Sequence, residues 1–164
     1  MKLIAERLGR NDKLDRLRCI RSDGSETRCA MPRQGTLPHD LVHYAVESLL
    51  PLRHGFLSLV AAGADANVAT TLVHDQNHPN SEIEAVQAEA IVEALQTQLW
   101  AGAFDEAAFL EGARLAAETR GKPAFDFSGI DSQRLYDRAI SLLDEWNQVP
   151  FHNSLSLNFV AGGG

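Results

Sequence analysis

The sequence predicts an α+β domain: N-terminal antiparallel hairpin strands joined by a C-terminal strand in one sheet, packed against about four helices. Three observations predict it. Apolar residues alternate with period two near both ends of the chain, in residues 14–21, 26–31 and 154–160. Between those ends they recur at helical spacing, in stretches punctuated by Pro38, Pro51, Gly102, Gly121 and Pro123. A lone C-terminal strand needs a partner, and the N-terminal strands are the only candidates. Strands, then helices, then one strand is the order of a helical layer against one face of an antiparallel sheet.

The elements follow in order. Residues 2–8 read as a short mixed strand. Residues 14–21 and 26–31 flank Ser22-Asp23-Gly24-Ser25 as a hairpin flanks its turn. With Asp23-Gly24 as a two-residue turn, Cys19 faces Arg28 and Cys29 faces Arg18. The two thiols then project from opposite sheet faces and stay reduced, whereas a loop longer by one residue pairs them directly. Pro38 at a first helical position starts a helix that runs to about Leu50 and is ended by Pro51. Residues 55–63 read as one or two buried helical turns. Within 64–80, residues 68–73 fit a helix continuation or a short strand. Ser81-Glu82-Ile83-Glu84 is a capping box and opens a helix to about Trp100, closed by Gly102. Residues 105–120 form the next helix and 130–146 the last. Trp100 and Trp146 end two of these helices and read as lids on the core. Residues 1–161 are expected to be a single domain, with Gly162-Gly163-Gly164 as a disordered tail.

Composition narrows the classes. A chain of 164 residues, 45% hydrophobic and 23% charged, suits one globular domain with a real core. No apolar run is long enough to span a bilayer and no signal-peptide core is present, so a cytoplasmic location without a membrane partner is expected. The net charge of −7 is uneven: residues 1–35 carry nine Lys/Arg against five Asp/Glu, the remainder six against seventeen. The acidic bulk argues against nucleic acid, since phosphate contact needs a positive face. A local patch of Arg16, Arg18 and Arg28 on the hairpin could take an anion or a partner. The plainer reading is solvated arginines on the outer sheet face, complementing acidic helices. A homo-oligomer, through the open sheet edge or apolar helix faces, is compatible with the sequence.

The chemistry-bearing pattern is His39-Asp40-Leu41-Val42-His43, echoed by His74-Asp75-Gln76-Asn77-His78. Histidines four apart share a helix face, which is how helices hold a transition metal. With His39 at zero, His43 lies at about 40° and Glu47 at about 80° around the helix, a row along the edge of the apolar stripe. The first-turn position of His39 disfavours its protonation, and a metal needs neutral imidazole. Asp40 reads as a helix-capping acid. His78 precedes Pro79, so the second copy belongs to a loop. His74, His78 or Glu82 would complete a three-ligand site for zinc or another divalent transition metal, with Glu82, Glu89 and Glu93 as an acidic wall nearby. No nucleophile elbow, phosphate loop or dinucleotide fingerprint is present.

The segment Leu37-Pro38-His39-Asp40-Leu41-Val42-His43-Tyr44-Ala45-Val46-Glu47, after a basic hairpin, resembles a set of small bacterial proteins with no assigned activity. The resemblance covers that helix and the following Gly55-Phe56 segment, and implies no reaction. The first pattern is also similar to the zinc-protease signature, but Asp40 stands where those enzymes carry the glutamate base. His39-Asp40 resembles the metal pair of HD-type phosphohydrolases, which are all-helical and need a further histidine upstream. No histidine precedes His39.

Three functions compete. The first is a non-catalytic structural, regulatory or interaction domain. The second is a metal-binding protein, or a metal-dependent hydrolase, using His39 and His43. The third is anion or partner binding by the arginine hairpin.

Overall fold

Alternation of burial along the strands orients the sheet. In the computed structural model, which describes residues 1–69 and 83–162, the strands are β1 (Lys2–Arg7), β2 (Leu14–Ile20), β3 (Glu26–Pro32) and β4 (Asn153–Asn158). They form one antiparallel sheet in the order β3-β2-β1-β4. Lys2 stands opposite Asn158 and Leu3 opposite Leu157, so the ends of the described chain are neighbours, as a partnerless C-terminal strand required. Leu3, Ala5, Leu17, Cys19, Cys29, Met31 and Leu157 point inward and are buried. The predicted α+β class is the one observed.

The hairpin register differs from the expected one. Leu17 pairs with Cys29, Arg18 with Arg28 and Cys19 with Thr27. The turn is Ser22-Asp23-Gly24, closed by Arg21 N–H donating to the Ser25 carbonyl at 2.9 Å. Gly24 sits at φ +83°, and Asp23 accepts from the Ser25 amide and hydroxyl. The added loop residue comes from the β2 side. It therefore brings both cysteines to the inner face without placing them opposite one another. Both are free and buried.

The helices are α1 (His39–Glu47), α2 (Phe56–Ala61), α3 (Ile83–Ala101), α4 (Glu106–Thr119) and α5 (Gln133–Gln148), with a further helical turn at 66–69. Pro38 is the N-cap of α1 rather than its first residue. Asp105 caps α4 by accepting from the Ala108 amide at 2.9 Å. Gly102 and Gly121 follow α3 and α4 with φ of +72° and +68°, conformations that suit glycine after a helix. Leu135, Ala139, Leu142 and Trp146 make the buried stripe of α5. Trp146 is a core lid, while Trp100 is 59% exposed and only its indole N–H is anchored, on the Gln34 carbonyl.

Helix α1 is the central element. It packs against α3, α5, α2 and β3, and every residue from Asp40 to Glu47 is buried. His43 and Glu47, expected along the edge of the apolar stripe, are both fully enclosed. The apolar stripe is covered from one side by the sheet and from the other by α3, so the polar row lies inside the helical layer. Residues His74, His78 and Glu82, the start of the capping box and most of 68–73 lie outside the described residues. Among the described residues no helix is long and apolar enough to cross a membrane.

Candidate metal centre

His39 and His43 sit one turn apart on α1, with ring centroids 5.0 Å apart and planes at 75°. The i,i+4 spacing makes them neighbours, and the first-turn placement leaves His39 at the rim, its side chain 27% exposed. His43 is buried. Across from them α3 presents Glu89, which has no exposed surface. Glu89 Oε2 lies 3.0 Å from His43 Nε2, and Oε1 lies 3.3 Å from His39 Nε2. One donor atom from each of His39, His43 and Glu89 lies within 4.8 Å of the other two.

The other face of the His43 ring is held as firmly. Nδ1 lies 3.0 Å from Glu47 Oε1 and donates to it. The Glu47 carboxylate also accepts from the amides of Leu57 and Ser58, at 3.2 and 3.1 Å, and from the Ser58 hydroxyl at 3.2 Å. Those amides open α2, where unpaired N–H groups favour a negative charge. Gly55 makes this possible by having no side chain: a Cβ there would lie 2.5 Å from Glu47 Oε2. Phe56 closes the pocket, its ring 5.3 Å from that of His43.

The electrostatics follow from burial among opposite charges. Burial works against a charged His43, but the bonds to Glu47 and Glu89 outweigh it and push its pKa up to about 10. Burial likewise works against an ionised Glu89, yet bonds from His39 and His43 hold its carboxyl well below the usual range. Asp40 is the opposite case. Burial raises its pKa, and its Oδ1 accepts from Cys29 Sγ at 3.7 Å. Burial, reinforced by Asp40, pushes the Cys19 thiol up to about 12 and raises that of Cys29 as well.

The structure therefore brings His39 and His43 together and adds a residue not among the expected ligands. Glu89 was legible only as one member of an acidic wall; the sharper signal was a lone acid among Ala85, Val86, Ala88, Ala90, Ile91 and Val92, all buried. Glu93 turns away from the centre and binds Arg120 in two contacts, at 2.5 and 3.1 Å. Glu47, expected among the ligands, turns instead toward Nδ1 and the α2 amides. Asp40 faces the sheet, so it is not placed as the glutamate base of a zinc protease is. Asp40 lies in the first turn of α1, while Pro38 holds the N-cap position.

The donor set fits a first-row divalent ion. Zinc takes imidazole nitrogens and carboxylate oxygens at about 2.1 Å in a tetrahedron, which sets neighbouring donors roughly 3.4 Å apart. Each histidine Nε2 lies near that distance from one Glu89 oxygen, His43 from Oε2 and His39 from Oε1.

The arginine patch is largely neutralised. Arg16 pairs with Glu6 at 2.8 Å; Arg18 pairs with Glu6 at 3.2 Å and binds Glu26 through both carboxylate oxygens. The partners are strand glutamates, not the acidic helices that were expected. Arg28 is exposed on β3, opposite Arg18. Compared with models of protein families, with curated proteins and with solved structures, the chain matches none.

Proposed function

We propose that this is a metal-binding domain that holds a divalent transition-metal ion between α1 and α3. His39 Nε2, His43 Nε2 and a Glu89 oxygen are its ligands. The supporting observation is the convergence of these three groups within 4.8 Å in a largely buried setting. A second feature agrees with it. Histidines that bind metals usually donate their other ring nitrogen to a carboxylate, which fixes the tautomer, and Glu47 does this for His43. The role is structural or regulatory rather than hydrolytic, because Asp40 is turned into the sheet and no general base stands beside the ligands among the described residues.

The test is the metal content of protein purified without a histidine tag. One equivalent of zinc or a similar ion per chain, lost in both His43→Ala and Glu89→Ala, is the expected result. Substoichiometric metal that neither variant changes would defeat the proposal. It would favour a second reading, carried by His43 bridging two buried carboxylates: an ion network that pins α1, α2 and α3 together without a metal.

A further inference from the structure

At one end of the sheet the inner face turns polar. Arg7 ends β1, Asp15 follows Leu14 at the start of β2, and Arg33 follows β3. Together with Thr36, Trp146 and Phe151 they line a cavity of about 290 Å³. Three guanidinium groups gather on the Phe151 ring, with Arg7 at 4.8 Å, Arg33 at 5.5 Å and Arg10 at 5.7 Å from its centroid. Like charges brought this close repel, and one ring does not compensate three cations. Arg33 is balanced by Asp15, which it contacts through two nitrogens at 2.9 and 2.6 Å. Arg7 and Arg10 have no carboxylate partner among the described residues, in a chain whose net charge is −7.

The two arginines that line the cavity, Arg7 and Arg33, are also held in place before any ligand arrives. Arg7 Nη1 donates to the carbonyls of Val149, Asn147 and Trp146, at 2.8, 3.1 and 3.4 Å, at the C-terminal end of α5. That leaves Nε and Nη2 of Arg7 to meet a ligand. Arg33 is fixed by Asp15 and by the Gly9 carbonyl at 3.0 Å. Asp15 is 2% exposed and also accepts from the Leu8 amide at 2.9 Å. Rigid donors lose little entropy on binding an anion. Trp146, Phe151 and Pro38 supply the apolar part of the wall, beside the polar Gln34, Thr36 and Asn147.

We propose that this cavity binds a small organic anion: a carboxylate or phosphate ester carried on a planar apolar body. The anionic head meets Nε and Nη2 of Arg7, with Arg33 beside it, and the planar part lies along Phe151 and Trp146. The site is separate from the His39/His43/Glu89 centre and does not depend on it. It also moves anion binding from Arg16 and Arg18, which glutamates already occupy, to Arg7 and its neighbour Arg33.

The experiment is calorimetric titration of the full chain, with Trp146 fluorescence as a second readout. The probes are phenyl phosphate, benzoate, inorganic phosphate and the neutral benzyl alcohol. A probe of about ten non-hydrogen atoms at ordinary ligand efficiency should bind with a Kd of about 1 mM. Phenyl phosphate or benzoate should saturate the site, inorganic phosphate should bind about tenfold more weakly, and benzyl alcohol should not saturate. Arg7→Gln should weaken the favoured probe about tenfold or more. Because Arg7 also ties down α5, Thr36→Tyr provides a second variant that fills the cavity and leaves the Arg33–Asp15 pair in place; it should abolish binding. Absence of saturable anion binding, equal affinity for benzyl alcohol, equal affinity for inorganic phosphate, or binding undiminished in Thr36→Tyr would each overturn the proposal.

Discussion

The Glu47 carboxylate accepts the Nδ1 proton of His43 at 3.0 Å while taking three further hydrogen bonds from Leu57 and Ser58. This contact ties the start of α2 to the central helix, and it leaves Nε2 of His43 facing Glu89 and His39. A residue expected as a ligand is instead the one that aims His43, a ligand in the proposed metal site.

Glu47→Gln tests that role. The amide keeps the shape and one acceptor but loses the charge and turns an N–H₂ toward donors. Partners of metal-bound histidines contribute about tenfold to a hundredfold in affinity, so zinc binding should weaken by that factor. Titration against a competing chelator measures it. Unchanged affinity in a folded Glu47→Gln protein would show that the contact only holds α2 in place.

Gly55→Ala should destabilise strongly. The new methyl would sit 2.5 Å from one Glu47 oxygen and 2.8 Å from the other. The φ of Gly55 is −71°, so the fault is space and not backbone conformation. Displacing a buried carboxylate from its donors adds to the overpacking, for a loss of about 3 kcal/mol or more. Urea unfolding of the two proteins decides it; a loss below about 1 kcal/mol would mean that the Glu47 pocket yields easily.

The metal-free protein should lose stability as the solution turns alkaline. His43 has its pKa raised from 6.5 to about 10. A raised value contributes stability in full below pH 6.5 and loses it as pH rises through about 10. Glu89 works the other way: its value lies below the ordinary 4.5, so its contribution is present above that pH and fades on acidification. The groups facing His43 are Glu47 on its own helix and Glu89 on α3, with His39 and Asp40 close by on α1. Stability in EDTA should therefore be flat from about pH 5 to 7 and fall toward pH 10. The fall should be smaller in His43→Gln; an equal fall in both proteins would assign it elsewhere.

Cys19 and Cys29 should be inert in the folded chain. A Cys19 pKa raised from 9.0 to about 12 cuts the thiolate fraction about a thousandfold, and burial adds a steric barrier. A thiol reagent at pH 8 should label neither cysteine until denaturant is added, when both should react. Rapid labelling of the native protein would mean that the β2–β3 sheet face opens to solvent.

Several features were legible from local pattern. The i,i+4 spacing of His39 and His43 needs only one helix to become proximity. Asp105 and Gly121 mark their helix ends through groups in the same turn. The hairpin register was not legible to the same degree, because loops of two and three residues both accommodate Asp23-Gly24. The difference moves Cys19 from facing Arg28 to facing Thr27. The arginines show the same boundary. Nothing local separates Arg16, which finds Glu6 on the adjacent strand, from Arg7, which reaches the carbonyls that end α5.

By itself, then, the sequence determined the strands, the helices, their order and the histidine pair, since each depends on residues within a few positions of one another. Only the tertiary structure decided that Glu89 joins the pair, that Glu47 faces away from it, and that Arg7, Arg10 and Arg33 meet on Phe151. Glu89 lies 46 residues from His43 and Phe151 lies 144 residues from Arg7 along the chain. Such contacts arise from how α3 docks on α1 and how β4 closes on β1, and docking is set by the packing of whole apolar faces, which no short spacing encodes.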